Sequence, residues 1–399
     1  MFYKIINLRT QKRHSCKKVS FLLYKTTCHC EEQSNPGSFS NKTQNVMSLF
    51  KQQPGERVIG SGRRVVLSIL IIGSILAAFY LYLFKSNIPS DFKPQYVKIP
   101  TNSSFEDLVN QLLTEGVITD ESDFRRWANW LDYETVRPGR FRIEAGWSSF
   151  ELVKHIHSGE QSPVKVVLNN ERTPAQVAGK VARFLERDSM TFLQTFNDTL
   201  LLDSLGINRE TLMCIFLPNT YEFYWNTEPR KFLERMDKEY KKFWNADRTA
   251  RAAAQGLTPE QVITMASIVD GESTRKDEIP KIAAAYLNRL KQDIKLDADP
   301  TVQFAIMEIE HTPSFRRLYN RDYQVEHPYN TYIHKGLPPG PVSMPSPASV
   351  EAVLSPESHN YIFFVAKPDN SGYHNYAETY EQHLVNVKIY QNWMNQQNK

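Results

Sequence analysis

Among the side chains that could do chemistry in this 399-residue chain, Glu272 stands first. It closes the run TPEQVITMASIVDGE, which begins at Thr258. Thr at the N-cap, Pro at the first helical position and Gln at the third predict a helix opened by a capping box. Met265, Ile268 and Val269 fall on one stripe of that helix. Glu272, three residues past Val269 and four past Ile268, continues the stripe. A carboxyl group on an apolar face loses hydration, which disfavours its charged form and raises its pKa. A general acid working near neutral pH needs that property. Asp270 is two positions away, roughly 200° round a helix, so the two acids do not face each other as a glycosidase pair. The plainer alternative is a helix-end glutamate in water, since Gly271 disfavours a helix interior by about 1 kcal/mol.

A second helix is expected over Ile279–Lys291, with Ile282, Tyr286 and Leu290 inward. Residues 297–301 (DADPT) read as a turn. Tyr329-Asn330-Thr331-Tyr332 and the rigid Gly336-Leu337-Pro338-Pro339-Gly340-Pro341 loop together suit the lining of a sugar cleft. Aromatic faces would meet pyranose rings and amides would meet hydroxyls. Residues 361–366 (YIFFVA) are expected as a buried strand and residues 372–376 as a turn. His374 and His383 lack a third ligand at zinc spacing, which favours hydrogen-bonding roles over metal binding. Cys28-His29-Cys30 has no second pair and does not form a zinc motif. Neither a metal nor a cofactor is expected, and no phosphate loop or nucleophile motif is present.

The elements that must position these residues divide by charge. The first 64 residues hold 12 Lys and Arg against 3 Asp and Glu, whereas the remainder is slightly acidic. That balance argues against nucleic acid as a partner of the main body. Three of the four cysteines also lie in the first 64 residues, which excludes a disulfide-stapled body. Residues 65–84 (VVLSILIIGSILAAFYLYLF) carry no charge and follow Arg63-Arg64. At 1.5 Å per residue they span about 30 Å, one bilayer core. The flanking arginines predict a cytoplasmic N-terminus and an exported body behind an uncleaved single-pass anchor. Residues 1–64 are expected to be a largely unstructured cytoplasmic segment, with Met47 as a candidate start. A linker (85–95), a compact α/β module (96–162) and a larger region (163–399) should follow. The fold class is α+β: one transmembrane helix, then two mixed domains.

Several ordered motifs carry a resemblance. ASIVDGE, YLNRL, DADPTVQ, YNTY-x-x-x-GLPPGPV, LPNTY and the final FFVAKPDNSGYHNYAETYEQH are similar to those of the YceG-like family of endolytic murein transglycosylases, from residue 93 onward. The resemblance implies a LysM-like module at 96–162, where PGRF at 138–141 matches, and a catalytic domain at 163–399. It implies Glu272 as the catalytic acid, at the second acid of a motif commonly written ASI(I/V)EKE; the first acid is Asp270 here and the lysine is Gly271. It also implies peptidoglycan glycan strands as substrate, an inner-membrane location with the catalytic domain periplasmic, and cell wall synthases such as penicillin-binding proteins as partners. Asn288, Arg289, Asp299, Tyr329, Asn330 and Tyr332 are the candidate substrate or supporting contacts. A muramidase admitting water, and a non-catalytic glycan-binding scaffold, are the competing readings.

Overall fold

The computed structural model describes residues 59–93, 95–312 and 316–397. The expectations for Met47, Cys28-His29-Cys30 and most of the N-terminal segment lie outside the described residues. Helix α1 (Ile59–Leu83) starts earlier than the apolar run alone predicts. Its Gly62–Leu83 portion has a mean hydropathy of 2.4 and is long and apolar enough to cross a membrane, by length and composition.

Next come β1 (Gln95–Ile99), α2 (Phe105–Thr114), α3 (Glu121–Trp130), β2 (Gly139–Ile143) and α4 (Ser149–Ser158). Strands β1 and β2 pair antiparallel, Gln95 opposite Ile143 and Ile99 opposite Gly139. Ser104 with Asp107, and Ser148 with Glu151, form the capping boxes that start α2 and α4. Val97, Ile99, Leu108, Leu112, Phe124, Phe141 and Leu152 meet in one core. The stretch expected as a linker belongs to this unit. Ile88 is buried in the same core, and Ser86 bridges to Ser148. The Asn87 amide donates to Asp120 O (2.7 Å) and Ser149 Oγ (2.8 Å), while its Oδ1 accepts from Asp120 N (2.6 Å). An apolar side chain and a satisfied buried amide order what composition reads as a spacer.

A second core is built by β3 (Val164–Leu168), α5 (Pro174–Val181), α6 (Ser189–Phe196), α7 (Thr199–Leu205), β4 (Asn219–Phe223) and α8 (Pro229–Phe243). Strand β3 pairs antiparallel with β4, and Phe192, Phe196, Phe216 and Phe232 fill the space beneath. A third core contains α9 (Ala246–Ala254), α10 (Pro259–Glu272), α11 (Ile279–Lys291), α12 (Asp299–Glu310) and α13 (Pro347–Leu354). It is edged by β5 (Phe363–Ala366), β6 (His374–Ala377) and α14 (Tyr380–Gln397), and Tyr240 of α8 packs against both cores. Among the described residues every sheet is a two-stranded ribbon, so helices supply most of the packing.

Helix α10 is the centre of the third core. Val262 through Val269 are all buried, so the expected one-sided stripe is a helix enclosed on every side. Its capping box at Thr258 and Gln261 forms as expected. Three other expectations change. DADPT is not a free turn: Ala298 caps α12, and Pro300 occupies its first turn, where the missing N–H has no cost. Strand β5 is half-buried rather than buried, because one edge lines a cleft. Residues 372–376 turn only briefly before entering β6, whose Ala377 pairs with Phe363.

Candidate active site

Glu272 is the last residue of α10, and Ser273 behind it is extended (φ −142°, ψ 140°). The helix therefore delivers the side chain and the chain turns away at once. Glu272 is half-buried: it reaches a cleft of about 420 Å³ while its carboxyl group is packed among protein atoms. The plainer alternative of a hydrated helix-end acid does not hold. Tyr286, one per cent exposed on α11, donates its hydroxyl to Glu272 Oε1 at 2.6 Å. Burial pushes the Glu272 pKa up to about 7; the Tyr286 hydrogen bond and the Arg289 charge pull it down, and the Asp299 charge adds to the rise. The Tyr286 phenol is itself driven well above its ordinary value by burial and by Glu272.

The other walls come from distant segments. Asp299, in the first turn of α12, accepts from Tyr332 Oη (2.8 Å) and, more weakly, from Tyr323 Oη (3.4 Å). The two tyrosine rings meet edge to face at 4.7 Å. Phe364 of β5 stands perpendicular to Tyr286 at 5.5 Å, with the His374 ring 5.4 Å beyond it. His374 takes the hydrogen-bonding role expected of it, with Nδ1 2.8 Å from Oε2 of the buried Glu278. His383 differs: its ring stacks on Phe363 at 5.0 Å and its Nδ1 has no partner.

Of the six candidate contacts, the fold brings Arg289, Asp299 and Tyr332 to this cleft with Glu272. Arg289 is already heavily committed. Its Nε donates to Ile362 O (2.7 Å), and Nη1 donates to Lys295 O (3.0 Å) and Asp297 Oδ2 (3.1 Å). Asn288, Tyr329 and Asn330 lie elsewhere. The Asn288 amide ties down His359 O and Tyr361 O, and the Asn330 amide holds Tyr323 O and Val325 O. Tyr329 packs on Phe304 at 4.5 Å. The Pro-rich loop also sits away from Glu272: residues 336–339 line a separate groove of about 920 Å³ at the N-terminal end of α10. Gly340 is required there, because a Cβ would collide with the Glu210 carbonyl. Sequence reading missed Tyr286 as the partner of Glu272. One signal was present: a tyrosine among inward-facing alanines needs an acceptor for its hydroxyl.

Asp270 performs a different task from Glu272. Its Oδ1 accepts from Ser349 Oγ (2.5 Å) and Ser346 N (3.2 Å), tying the start of α13 to α10.

A helical core that presents the desolvated Glu272, with Asp297 and Asp299 beside it, to a half-open cleft has the groups that acid–base chemistry requires. The chain belongs to the YceG-like family, whose model matches residues 97–389. An endolytic murein transglycosylase of Bacillus subtilis is 26% identical over 305 residues, which cover 72% of this chain and 82% of that protein. The protein of the same name from Streptococcus pneumoniae D39 is 25% identical over 359 residues, covering 81% of this chain and 64% of its own longer length. The crystal structure of a yceG-like protein from Listeria monocytogenes superposes with a TM-score of 0.50 at 25% identity, covering 73% of this chain and 98% of that one.

Proposed function

We propose that this chain is a membrane-anchored lytic transglycosylase that cuts within nascent peptidoglycan strands at the bond from N-acetylmuramic acid to N-acetylglucosamine. One observation carries the reading: a carboxyl group at the end of a buried helix, held near neutral pKa, reaching a cleft rimmed by aromatic side chains. Protonated Glu272 donates to the glycosidic oxygen as the bond to the anomeric carbon breaks. The resulting Glu272 carboxylate then takes the proton of the muramoyl 6-hydroxyl, and that oxygen closes on the anomeric carbon. A 1,6-anhydro end forms, no water is consumed and Glu272 is protonated again. Intramolecular attack needs no second carboxylate to position water. Asp299, fixed by Tyr332, supplies negative charge toward the oxocarbenium-like centre. Tyr286 orients Glu272 and balances its proton affinity.

In this reading α1 places the N-terminus in the cytoplasm and the body on the periplasmic face of the inner membrane. Cell wall synthases such as penicillin-binding proteins then supply the strands. The decisive experiment incubates the purified full chain with uncrosslinked glycan and determines the products by mass. Anhydromuramoyl ends that disappear with Glu272→Gln are expected. Reducing ends alone would instead favour the hydrolytic reading, which has Asp299 available as a second carboxylate in the cleft. An unchanged strand-length distribution in cells carrying Glu272→Gln would favour the non-catalytic scaffold.

A further inference from the structure

The first core and the end of α1 share an aromatic surface that the reaction does not use. A cavity of about 310 Å³ lies between them, walled by Phe79, Tyr82 and Leu83 of α1 and by Arg126, Trp127 and Trp130 of α3. Trp130 is 69% exposed, and Tyr82 and Phe79 are exposed by 57% and 56%. The surface is held in place. Leu83 packs on the first core, and the Phe84 ring meets Phe150 edge-on at 5.6 Å. Trp127 fixes the first-core side, 5.0 Å from Phe150 and 5.2 Å from Trp130. The Arg126 guanidinium lies 5.6 Å over the Tyr82 ring and pairs with Asp123 at 2.9 Å.

We propose that Trp130, with Tyr82 and Phe79, forms a lipid-contacting surface that seats the first core on the leaflet through which α1 leaves the bilayer. This rests on the reading of α1 as a membrane span. One wall of the cavity is the last turns of that span, so whatever surrounds the helix there also reaches the cavity. No spacer intervenes: Ser86, Asn87 and Ile88 already belong to the first core. Tryptophan and tyrosine favour the headgroup level, where an apolar ring and a polar N–H or O–H are both satisfied. Arginine at that level keeps its charge in the wet layer while its stem covers apolar surface. A freely exposed Trp130 beside a bare apolar groove is otherwise unfavourable for a soluble face.

The tryptophan distribution provides a direct test, because all six tryptophans follow the span and the first is Trp127. The full chain is reconstituted into phosphatidylethanolamine–phosphatidylglycerol vesicles with brominated or ordinary acyl chains, washed with alkaline carbonate, and its tryptophan emission compared. Retention in the vesicles, quenching by brominated lipid, loss of most of that quenching in Trp130→Phe and its preservation in Trp393→Phe are expected. Retention without quenching, or quenching unaltered by Trp130→Phe, overturns the proposal and leaves the anchor standing. Release by carbonate overturns the anchor and the proposal together.

Discussion

Raising the pH lowers both activity and stability through the same proton on the Glu272 carboxyl group. Its pKa moves from an ordinary 4.5 to about 7 in the folded chain, so the native state holds this proton more tightly than the unfolded one. The stability this proton affinity contributes is fully present below about pH 4.5 and is lost as pH rises through about 7. Keeping the charged form in place above that range costs at most about 3 kcal/mol. Glu272→Gln retains an acceptor for Tyr286 and removes that cost. It should lower transglycosylation by about 10²–10⁴-fold while making the protein more stable to denaturant at pH 8 than the parent. The rate profile itself should fall above about pH 7, as the acid loses its proton. Two neighbours shift that limb in opposite directions. Tyr286→Phe removes a bond that favours the carboxylate and should move the fall to higher pH. Asp299→Asn removes a charge that favours the acid and should move it lower. Profiles of kcat/KM that shift the other way would contradict these assignments.

At the scale of elements, α10 is a rod enclosed by its neighbours and fastened at each end. Near its C-terminal end the fastening is Asp270, not Glu272. Asp270→Ala removes the acceptor for Ser349 Oγ and Ser346 N, and should cost about 1–3 kcal/mol in chemical denaturation. Glu272 remains in place, so activity per folded molecule should persist at low temperature. Near its N-terminal end the Pro-rich loop closes over the helix. Gly340→Ala drives a methyl group into the Glu210 carbonyl and should also destabilise by about 1–3 kcal/mol. Because that loop lies away from the acid, KM for glycan should change little. A large rise in KM would return the loop to the substrate path.

Across the whole molecule, the junction behind α1 is a folded joint rather than a tether. Asn87 is its key polar residue, satisfied by backbone and side-chain partners around positions 119, 120 and 149. Asn87→Ala leaves the Asp120 amide without its acceptor, and the Thr119 amide keeps only the main-chain carbonyl of residue 87 at 3.2 Å. It should lower the melting transition of the first core, at a cost of about 2–4 kcal/mol, with the third core unaffected. Hydrogen exchange resolved by segment would show the loss confined to residues near 85–160. Loss spread evenly over the chain would mean that the cores unfold as one cooperative unit.

Much of this architecture was legible because its signals are local. Capping boxes at Ser104, Ser148 and Thr258 join residues three apart, and the apolar run of α1 is a property of one continuous segment. The position of Glu272 at the end of α10 follows from the same kind of local reading. Its partners do not. Tyr286 is 14 residues from Glu272, Tyr332 is 33 from Asp299, and His359 is 71 from Asn288. No short-range periodicity links such pairs, so candidates of equal promise in the sequence parted company in space. Arg289 and Tyr332 reached the cleft, whereas Asn288 and Asn330 were consumed in holding loops. By itself the sequence determined where the capped helix α10 begins, which segment is apolar enough to span a bilayer, and that Glu272 continues the apolar residues of α10. Only the tertiary structure decided that acid's proton affinity, because desolvation depends on the surfaces that close around a group, and those arrive from segments far along the chain.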